Sequence, residues 1–183
     1  MKELSLNILD IAKNSTKAKA TLVEIVIEEC EEILTITISD NGTGMTEDEL
    51  LSVTSPFSTS RTTRKVGMGI PLFKFAAEQT GGSLTIKSKH IDEYPIDHGT
   101  SISASFYKNH IDFTPLGDVT SSLVTLIQGN PDIDFRFLHK TAGGEVSLDT
   151  RELREVLEEV SLDSFEILSW TRENLAEQYN SIL

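Results

Sequence analysis

The chain has 183 residues, enough for one medium-sized domain or for a domain with a small addition. Its formal net charge is −13. Because such an acidic surface repels phosphate backbones, we expect no nucleic-acid binding. The single cysteine, Cys30, excludes an internal disulfide and any zinc or iron–sulfur site that needs several cysteines. No apolar run reaches membrane-spanning length and the N-terminus has no signal-peptide pattern, so we expect a cytoplasmic protein.

The first predicted element is a helix over residues 2–16. Its apolar residues recur at helical spacing: Leu4, Ile8, Ile11 and Ala12. Polar residues recur three and four positions apart on another face: Asn7, Asp10 and Asn14. One face of this helix is therefore polar, either for a ligand or simply as a solvated surface.

Two strands follow, over residues 21–29 and 33–40, joined by a turn at residues 30–32. Alternate residues in both strands are apolar: Val23, Ile25, Ile27, Leu34, Ile36 and Ile38. Asp40 has the parity of Ile38, so its carboxylate points towards the side that these residues bury. A surface turn rarely places an acid there, although the Asn-Gly pair that follows is also a common hairpin turn.

A short helix, an aperiodic loop and a longer helix come after Asp40. Thr46 and Glu49 form a capping-box pattern that begins a helix ending near residue 53. Residues 54–66 have no hydrophobic period and include basic residues. A helix begins at the following glycines and ends before Gly81. Two further stretches alternate as strands do: residues 83–88 and 100–106.

The pattern changes from residue 110 onwards. We predict a helix after Pro115, a hairpin around residues 141–145, and two acidic amphipathic helices over residues 150–160 and 163–180. This part carries 14 acidic and 5 basic residues. The sequence therefore predicts an α+β fold in two units, residues 1–109 and a small acidic α/β unit over residues 110–183.

Three separated motifs occur in the first unit: DIAKNSTKAKAT (10–21), DNGTG (40–44) and PFSTSRTTRKVGMGI (56–70). They resemble the N box, the adenine box, and the lid and glycine box of the Bergerat-fold (GHKL) ATPases. This superfamily includes DNA gyrase, the large heat-shock chaperones, mismatch-repair ATPases, histidine kinases and anti-sigma serine kinases. The resemblance covers residues 4–107 and is closest to the histidine-kinase-type ATPase domain. It implies a two-layer α/β sandwich that binds ATP and Mg²⁺.

The resemblance also implies roles for single residues. Asp40 would accept a hydrogen bond from the adenine amino group, and Thr100 would support that contact directly or through water. Gly42 is expected to take a positive φ, and Gly44 to let the base approach the backbone. The complete set of implied nucleotide-binding residues is Asn7, Asn14, Asp40, Gly42, Gly44, Met45, Arg61, Arg64, Lys65, Gly67, Met68, Gly69 and Thr100.

The first helix would supply a metal ligand and a base. The family's asparagine at the position of Asn14 ligates Mg²⁺, and Asn7 could support it. Asp10 stands where related enzymes keep a glutamate as general base, so it is the candidate catalytic residue. Its side chain is one methylene shorter, about 1.5 Å, and we therefore expect slow hydrolysis.

The lid and glycine box would bind the phosphates. Gly67 and Gly69 precede a helix whose free N–H groups suit phosphate oxygens. The basic residues before them would close over the triphosphate or form only a solvated loop: Arg61, Arg64 and Lys65.

Three functions fit these expectations. The favoured one is a protein kinase that acts on a separate partner protein. The alternatives are a slow ATPase switch and a nucleotide-binding interaction module without turnover. Residues 110–183 would bind a partner or pack on the ATP-binding unit, and a homodimer is left open.

The histidines give little further guidance. His110 lies five residues before Pro115, as in a phosphoacceptor box, but helix capping explains Pro115 equally well. A linker histidine is therefore the favoured interpretation. We expect His90, His98 and His139 at the surface or in loops.

Overall fold

The computed structural model describes residues 3–54, 68–157 and 160–182. Its helices and strands are, in order, α1 (Leu4–Lys17), β1 (Leu22–Glu29), β2 (Ile33–Asp40), α2 (Glu47–Thr54), α3 (Gly69–Gln79), β3 (Ser83–Lys89), β4 (Gly99–Tyr107), α4 (Val119–Gly129), β5 (Asp134–Thr141), β6 (Gly144–Asp149), α5 (Thr150–Leu157) and α6 (Phe165–Ile182). The elements predicted from hydrophobic periodicity are present, and their ends lie close to the predicted ones.

These strands form one sheet, in the order β3-β4-β2-β1-β5-β6. Neighbouring strands run antiparallel except β1 and β5, which are parallel. The register places core-facing residues side by side, so that Ile25 lies between Ile38 and Phe137. Buried side chains from α1, α3 and α4 join those of the strands in one core. The predicted α+β two-layer sandwich is confirmed.

The C-terminal part of the chain continues this sheet. Strand β5 pairs with β1, and Phe135 and Phe137 belong to the same core as the residues of α1. The first backbone N–H groups of α1, which have no partner within the helix, donate to the carbonyls of Pro115 at 2.9 Å and Leu116 at 2.8 Å. The division at residues 109 and 110 stays a prediction, but the two parts share a sheet and a core.

Helix α6 lies beside the outer edge of β6. The Gln178 side chain accepts from the Ser147 N–H at 2.8 Å and donates to its carbonyl at 3.0 Å. The Gln178 amide thus satisfies the backbone groups of Ser147 that a neighbouring strand would otherwise bind, which hinders pairing of this edge with another chain. Over the described ranges, every helix is too short or too polar to span a lipid bilayer.

A chain of hydrogen-bonded polar side chains links α6 to the sheet. Tyr179 Oη lies 2.9 Å from His139 Nδ1, and His139 Nε2 lies 3.1 Å from Glu29 Oε1. Because a carboxylate only accepts, Nε2 carries the ring proton and Nδ1 accepts from the Tyr179 hydroxyl. His139 is only 3% exposed. The expectation of a surface or loop position is therefore wrong for this histidine, since its two hydrogen bonds allow it to be buried in β5.

Burial governs how this chain of groups titrates. Burial lowers the pKa of His139, and the nearby Glu29 only partly opposes that shift. Burial likewise raises the pKa of Tyr179 to about 12. Both groups are therefore neutral around pH 7, and protonating His139 would cost the folded state free energy.

We expect His139 to make the fold less stable in mild acid. The unfolded chain takes up a proton near the ordinary histidine pKa of 6.5, whereas the folded chain resists it. The stability that depends on neutral His139 is thus present above this value and is lost as the pH falls through the lower pKa of the folded state. Urea denaturation of the wild type and His139→Gln from about pH 7.5 to about pH 5 measures this. Parallel pH profiles for the two proteins would contradict the assignment.

Candidate functional site

Three elements meet at the end of β2: the last residue of the strand, α1 and the start of α3. Asp40 ends β2, and its Oδ2 accepts a hydrogen bond from Ser15 Oγ on α1 at 2.6 Å. Its Oδ1 accepts from the backbone N–H of Gly42 at 2.9 Å. The carboxylate is therefore oriented through both oxygens, while Asp40 as a whole is only half-buried.

The turn after Asp40 is pressed between α1 and β3. The Thr43 N–H donates to the Ala18 carbonyl at 2.8 Å, and a Cβ on Gly42 would lie 2.7 Å from that same oxygen. Gly44 has φ +69°, and a Cβ there would overlap the Lys89 carbonyl. The positive φ is thus at Gly44 and not at Gly42 as expected. Both glycines are needed because protein backbone approaches them.

A row of polar side chains crosses the ends of three strands. The register places Thr100 on β4 beside Asp40 on one side and Ser88 of β3 on the other. Ser88 Oγ lies 2.8 Å from Thr100 Oγ1 and accepts from the Met45 N–H at 2.7 Å. The predicted residues Asp40, Met45 and Thr100 are therefore brought together, with Ser88 between the last two.

The polar face of α1 borders the same place. Asn14 directly precedes Ser15 and is half-buried, and its side-chain amide has no hydrogen bond to any described residue. Asp10, one turn earlier, is exposed and lies against the start of α3, where a Cβ on Gly69 would be 3.3 Å from the Asp10 Cβ. Asn7 is 2% exposed. The fold thus places Asp10 against Gly69, and Asn14 next in sequence to the Ser15 that bonds Asp40. We call the region between the end of β2, α1 and the start of α3 the cleft.

The remaining predicted residues lie at the other side of this cleft or outside the described ranges. Met68 directly precedes α3 and is exposed. The lid and first glycine-box residues fall outside the described residues, and their roles stay predictions: Arg61, Arg64, Lys65 and Gly67.

Sequence reasoning missed three contacts of the site. Ser15 and Ser88 each occupy a position where the apolar period of their helix or strand requires a core-facing residue, and that break in the pattern was a usable signal. His98, expected to be an ordinary surface or loop residue, is half-buried, and its Nδ1 lies 2.6 Å from the Gly42 carbonyl oxygen. No sequence pattern indicated that contact. His110 lies in the turn after β4 and not on a helix.

Comparison with known families agrees with this geometry. The model of the family described as histidine kinase-, DNA gyrase B- and HSP90-like ATPase matches residues 1–110, more than half of the chain. The chain belongs to this family. It is therefore an ATP-binding domain of the GHKL type, and the resemblance stated from its three motifs is confirmed.

Individual relatives of this GHKL domain include mismatch-repair proteins. The DNA mismatch repair protein MutL of Listeria monocytogenes serotype 4a is 26% identical over an alignment covering 81% of this chain and 30% of MutL. The MutL of Listeria monocytogenes serovar 1/2a gives the same identity and coverage. The chain thus spans about a third of the length of the curated relatives it matches.

Solved structures show the same fold. The Aquifex aeolicus MutL ATPase domain complexed with ADP matches with a TM-score of 0.52 at 14% identity, covering 86% of this chain and 70% of that one. The N-terminal domain of a DNA repair protein matches with a TM-score of 0.54 at 19% identity, covering 81% and 53%. Both alignments cover a larger share of this chain than residues 1–110 make up. The shared fold therefore extends into the C-terminal part.

The glycine beside Asp40 provides a test of this site's packing. Gly99 has φ +134°, and a Cβ there would overlap the Asp40 carbonyl oxygen. We expect Gly99→Ala to lower the free energy of unfolding by about 2 kcal/mol or more, through strain and displacement of the β2 end. Gly129→Ala, where an added Cβ meets nothing within 4 Å, is the matched control and should be neutral or stabilising. Equal urea midpoints for the two variants would disprove the packing described here.

Proposed function

We propose that this GHKL domain binds ATP with Mg²⁺ in the cleft between α1, the end of β2 and the start of α3. We further propose that it is a slow ATPase whose nucleotide state controls a protein partner. The hydrogen bond between Ser15 and Asp40 supports this most directly, because it joins the helix that carries Asn14 to the strand end that carries the acid.

Asp40 has the chemistry to select adenine. Each of its oxygens already accepts one hydrogen bond, from Ser15 or from Gly42. A carboxylate oxygen has a second acceptor site, so a base with an amino group can donate to it. Guanine presents a carbonyl oxygen at that position and would be repelled. Thr100, next to Asp40 in the sheet, is placed to support the base through its hydroxyl.

The cleft also fits a metal-bound triphosphate. In the described residues no group of three or more His, Cys, Asp or Glu side chains is placed to hold a metal. An isolated amide oxygen such as that of Asn14 suits Mg²⁺, which takes its remaining ligands from water and phosphates. Bound Mg²⁺ would neutralise phosphate charge. The start of α3, with Gly69 packed against Asp10, is a helix N-terminus, whose positive end suits phosphates.

Asp10 is our candidate general base. It is exposed at the cleft, so a water molecule has access to its carboxylate. The carboxylate is retracted by about 1.5 Å compared with a glutamate at the same backbone position. Since a general base must lie within hydrogen-bond reach of the proton it takes, this retraction favours slow turnover.

A protein kinase is the second candidate, because the exposure of Asp10 gives a hydroxyl of a partner protein the same access as water. Incubating the purified protein with γ-labelled ATP and Mg²⁺ separates the candidates. Free labelled phosphate supports the ATPase, and label on a protein supports the kinase. Intact ATP after long incubation contradicts both and leaves a binding module.

The partner-binding part of the proposal concerns residues 110–183. In α5, α6 and their connection, several large apolar side chains are exposed: Val156, Val160, Phe165 and Trp170. This part also carries most of the chain's excess of acidic residues. Such a surface suits a partner with apolar and basic groups, and the MutL relatives are named for DNA mismatch repair.

We expect Asp40→Asn to weaken ATP binding by about 10- to 100-fold, because it replaces a charged acceptor with a neutral amide. Isothermal titration with ATP–Mg²⁺ measures the change. Asp112→Asn is the matched control, since Asp112 is exposed in the turn after β4, at the opposite end of the sheet. Equal affinity of Asp40→Asn and the wild type would place the nucleotide elsewhere.

We expect Asp10→Asn to separate binding from turnover. Removing a general base lowers hydrolysis by about 10²- to 10⁴-fold, while ATP affinity should stay within about twofold because Asp10 is not required for the base contact. Asp10→Glu restores the longer side chain and should hydrolyse ATP faster than the wild type. Phosphate release under single-turnover conditions reports both effects. An Asp10→Asn variant as fast as the wild type would exclude Asp10 as the base.

A further inference from the structure

The connection between β3 and β4 folds over the turn that follows Asp40. The Ile91 N–H donates to the Thr43 carbonyl at 2.9 Å, and Gly44 packs directly on the Lys89 backbone. At the other end of the same connection, His98 Nδ1 lies 2.6 Å from the Gly42 carbonyl oxygen. The β3–β4 connection therefore holds the turn through Ile91 and His98, neither of which is among the proposed nucleotide-binding residues.

The partner of His98 determines which ring nitrogen carries a proton. A backbone carbonyl only accepts hydrogen bonds, so His98 Nδ1 is the donor. The Gly42 N–H donates to Asp40 Oδ1 at 2.9 Å. Gly42 is thus bonded to Asp40 through its N–H and to His98 through its carbonyl, and a hydrogen-bonded sequence leads from His98 to the carboxylate.

We propose that His98 is a positioning residue for nucleotide selection, acting through Gly42 on the orientation of Asp40. This rests on the proposed function, because it assumes that Asp40 accepts a hydrogen bond from adenine. The His98 bond restrains the Gly42–Thr43 peptide together with the Thr43 N–H bond to Ala18, whereas the N–H that orients Asp40 belongs to the preceding peptide. Without the His98 bond, Gly42 gains freedom about its own φ and ψ, and its N–H holds Asp40 Oδ1 less firmly. ATP then loses part of its contact, whereas GTP, whose guanine carbonyl a carboxylate repels, does not.

None of the charged side chains described near His98 could replace its hydrogen bond to the Gly42 carbonyl. Asp97 pairs with Lys89, and this pair lies mostly in solvent. Ser15 bonds the other oxygen of Asp40, so it cannot hold Gly42. Among the described residues, His98 is the side chain that donates to the Gly42 carbonyl.

Two substitutions that are isosteric with each other test whether the hydrogen-bond donor at position 98 matters. In His98→Asn the side-chain NH₂ occupies the place of Nδ1 and can donate, whereas His98→Asp has the same shape and cannot donate. Isothermal titration gives the ATP affinity with Mg²⁺, competition gives the GTP affinity, and thermal unfolding monitors the fold. We expect His98→Asn to bind ATP within about twofold of the wild type. We expect His98→Asp to lose about 3- to 10-fold in ATP affinity with unchanged GTP affinity, as for one hydrogen bond.

The outcomes distinguish this inference from the proposed function. A wild type that binds ATP, with His98→Asp retaining the same ATP:GTP ratio, overturns the role of His98 alone. An equal loss of both nucleotides in His98→Asp, with a lowered unfolding temperature, assigns His98 to loop stability and also overturns it. A wild type that binds no ATP overturns the proposed function together with this inference. Selective loss of ATP binding in His98→Asp and its rescue in His98→Asn support the proposal.

Discussion

The hydrogen bond between Ser15 and Asp40 is the contact on which the arrangement of the cleft depends. It joins α1 to the last residue of β2 at 2.6 Å, and Ser15 is only 4% exposed. A partly buried charge-assisted bond of this kind is worth more than a solvent-exposed one, and losing Asp40 leaves the buried Ser15 hydroxyl without its partner. Because Asn14 is the preceding residue on α1, the same contact keeps the proposed metal ligand Asn14 and the proposed adenine acceptor Asp40 on neighbouring elements. The two motifs lie far apart in the sequence and become one site through this bond.

Local periodicity was sufficient to predict the elements around this bond. The alternation along β1 and β2 predicted the hairpin and the inward direction of Asp40, and the helical spacing along α1 predicted one polar face. The contacts between elements were beyond local reasoning. Ser88 reaches Thr100 because β3 pairs with β4, and both lie beside Asp40 because β4 also pairs with β2. Strand order depends on crossover connections and on the competition between all strand pairings, neither of which a period of two or 3.6 encodes.

The C-terminal part illustrates the same limit. The hairpin around residues 141–145 was predicted and is observed as β5 and β6. Phe135 and Phe137 on β5 are buried in the core, and a hairpin prediction alone does not indicate which strand lies beside them. That strand is β1, in the one parallel pairing between the described strands. His139 was expected at the surface or in a loop because its spacing matches neither a metal-ligand set nor a catalytic triad, whereas Tyr179 from α6 and Glu29 from β1 supply both of its hydrogen bonds. Partners so distant in sequence cannot be recognised without the topology.

The proposed nucleotide-dependent switch needs an element that contacts both the proposed nucleotide site and the part proposed to bind a partner, and α1 contacts both regions. Its middle carries Asp10 and Asn14, and the Ala18 carbonyl just after its end accepts from the turn that follows Asp40. Its first N–H groups donate to Pro115 and Leu116, and its side chains pack on α4. A ligand can move such a helix only by binding one of its positions more tightly than another. In the proposed function, contacts between a bound triphosphate and α1 would satisfy this condition, and α1 is hydrogen-bonded to residues 115–116. The C-terminal part is therefore joined directly to the helix that carries Asp10 and Asn14.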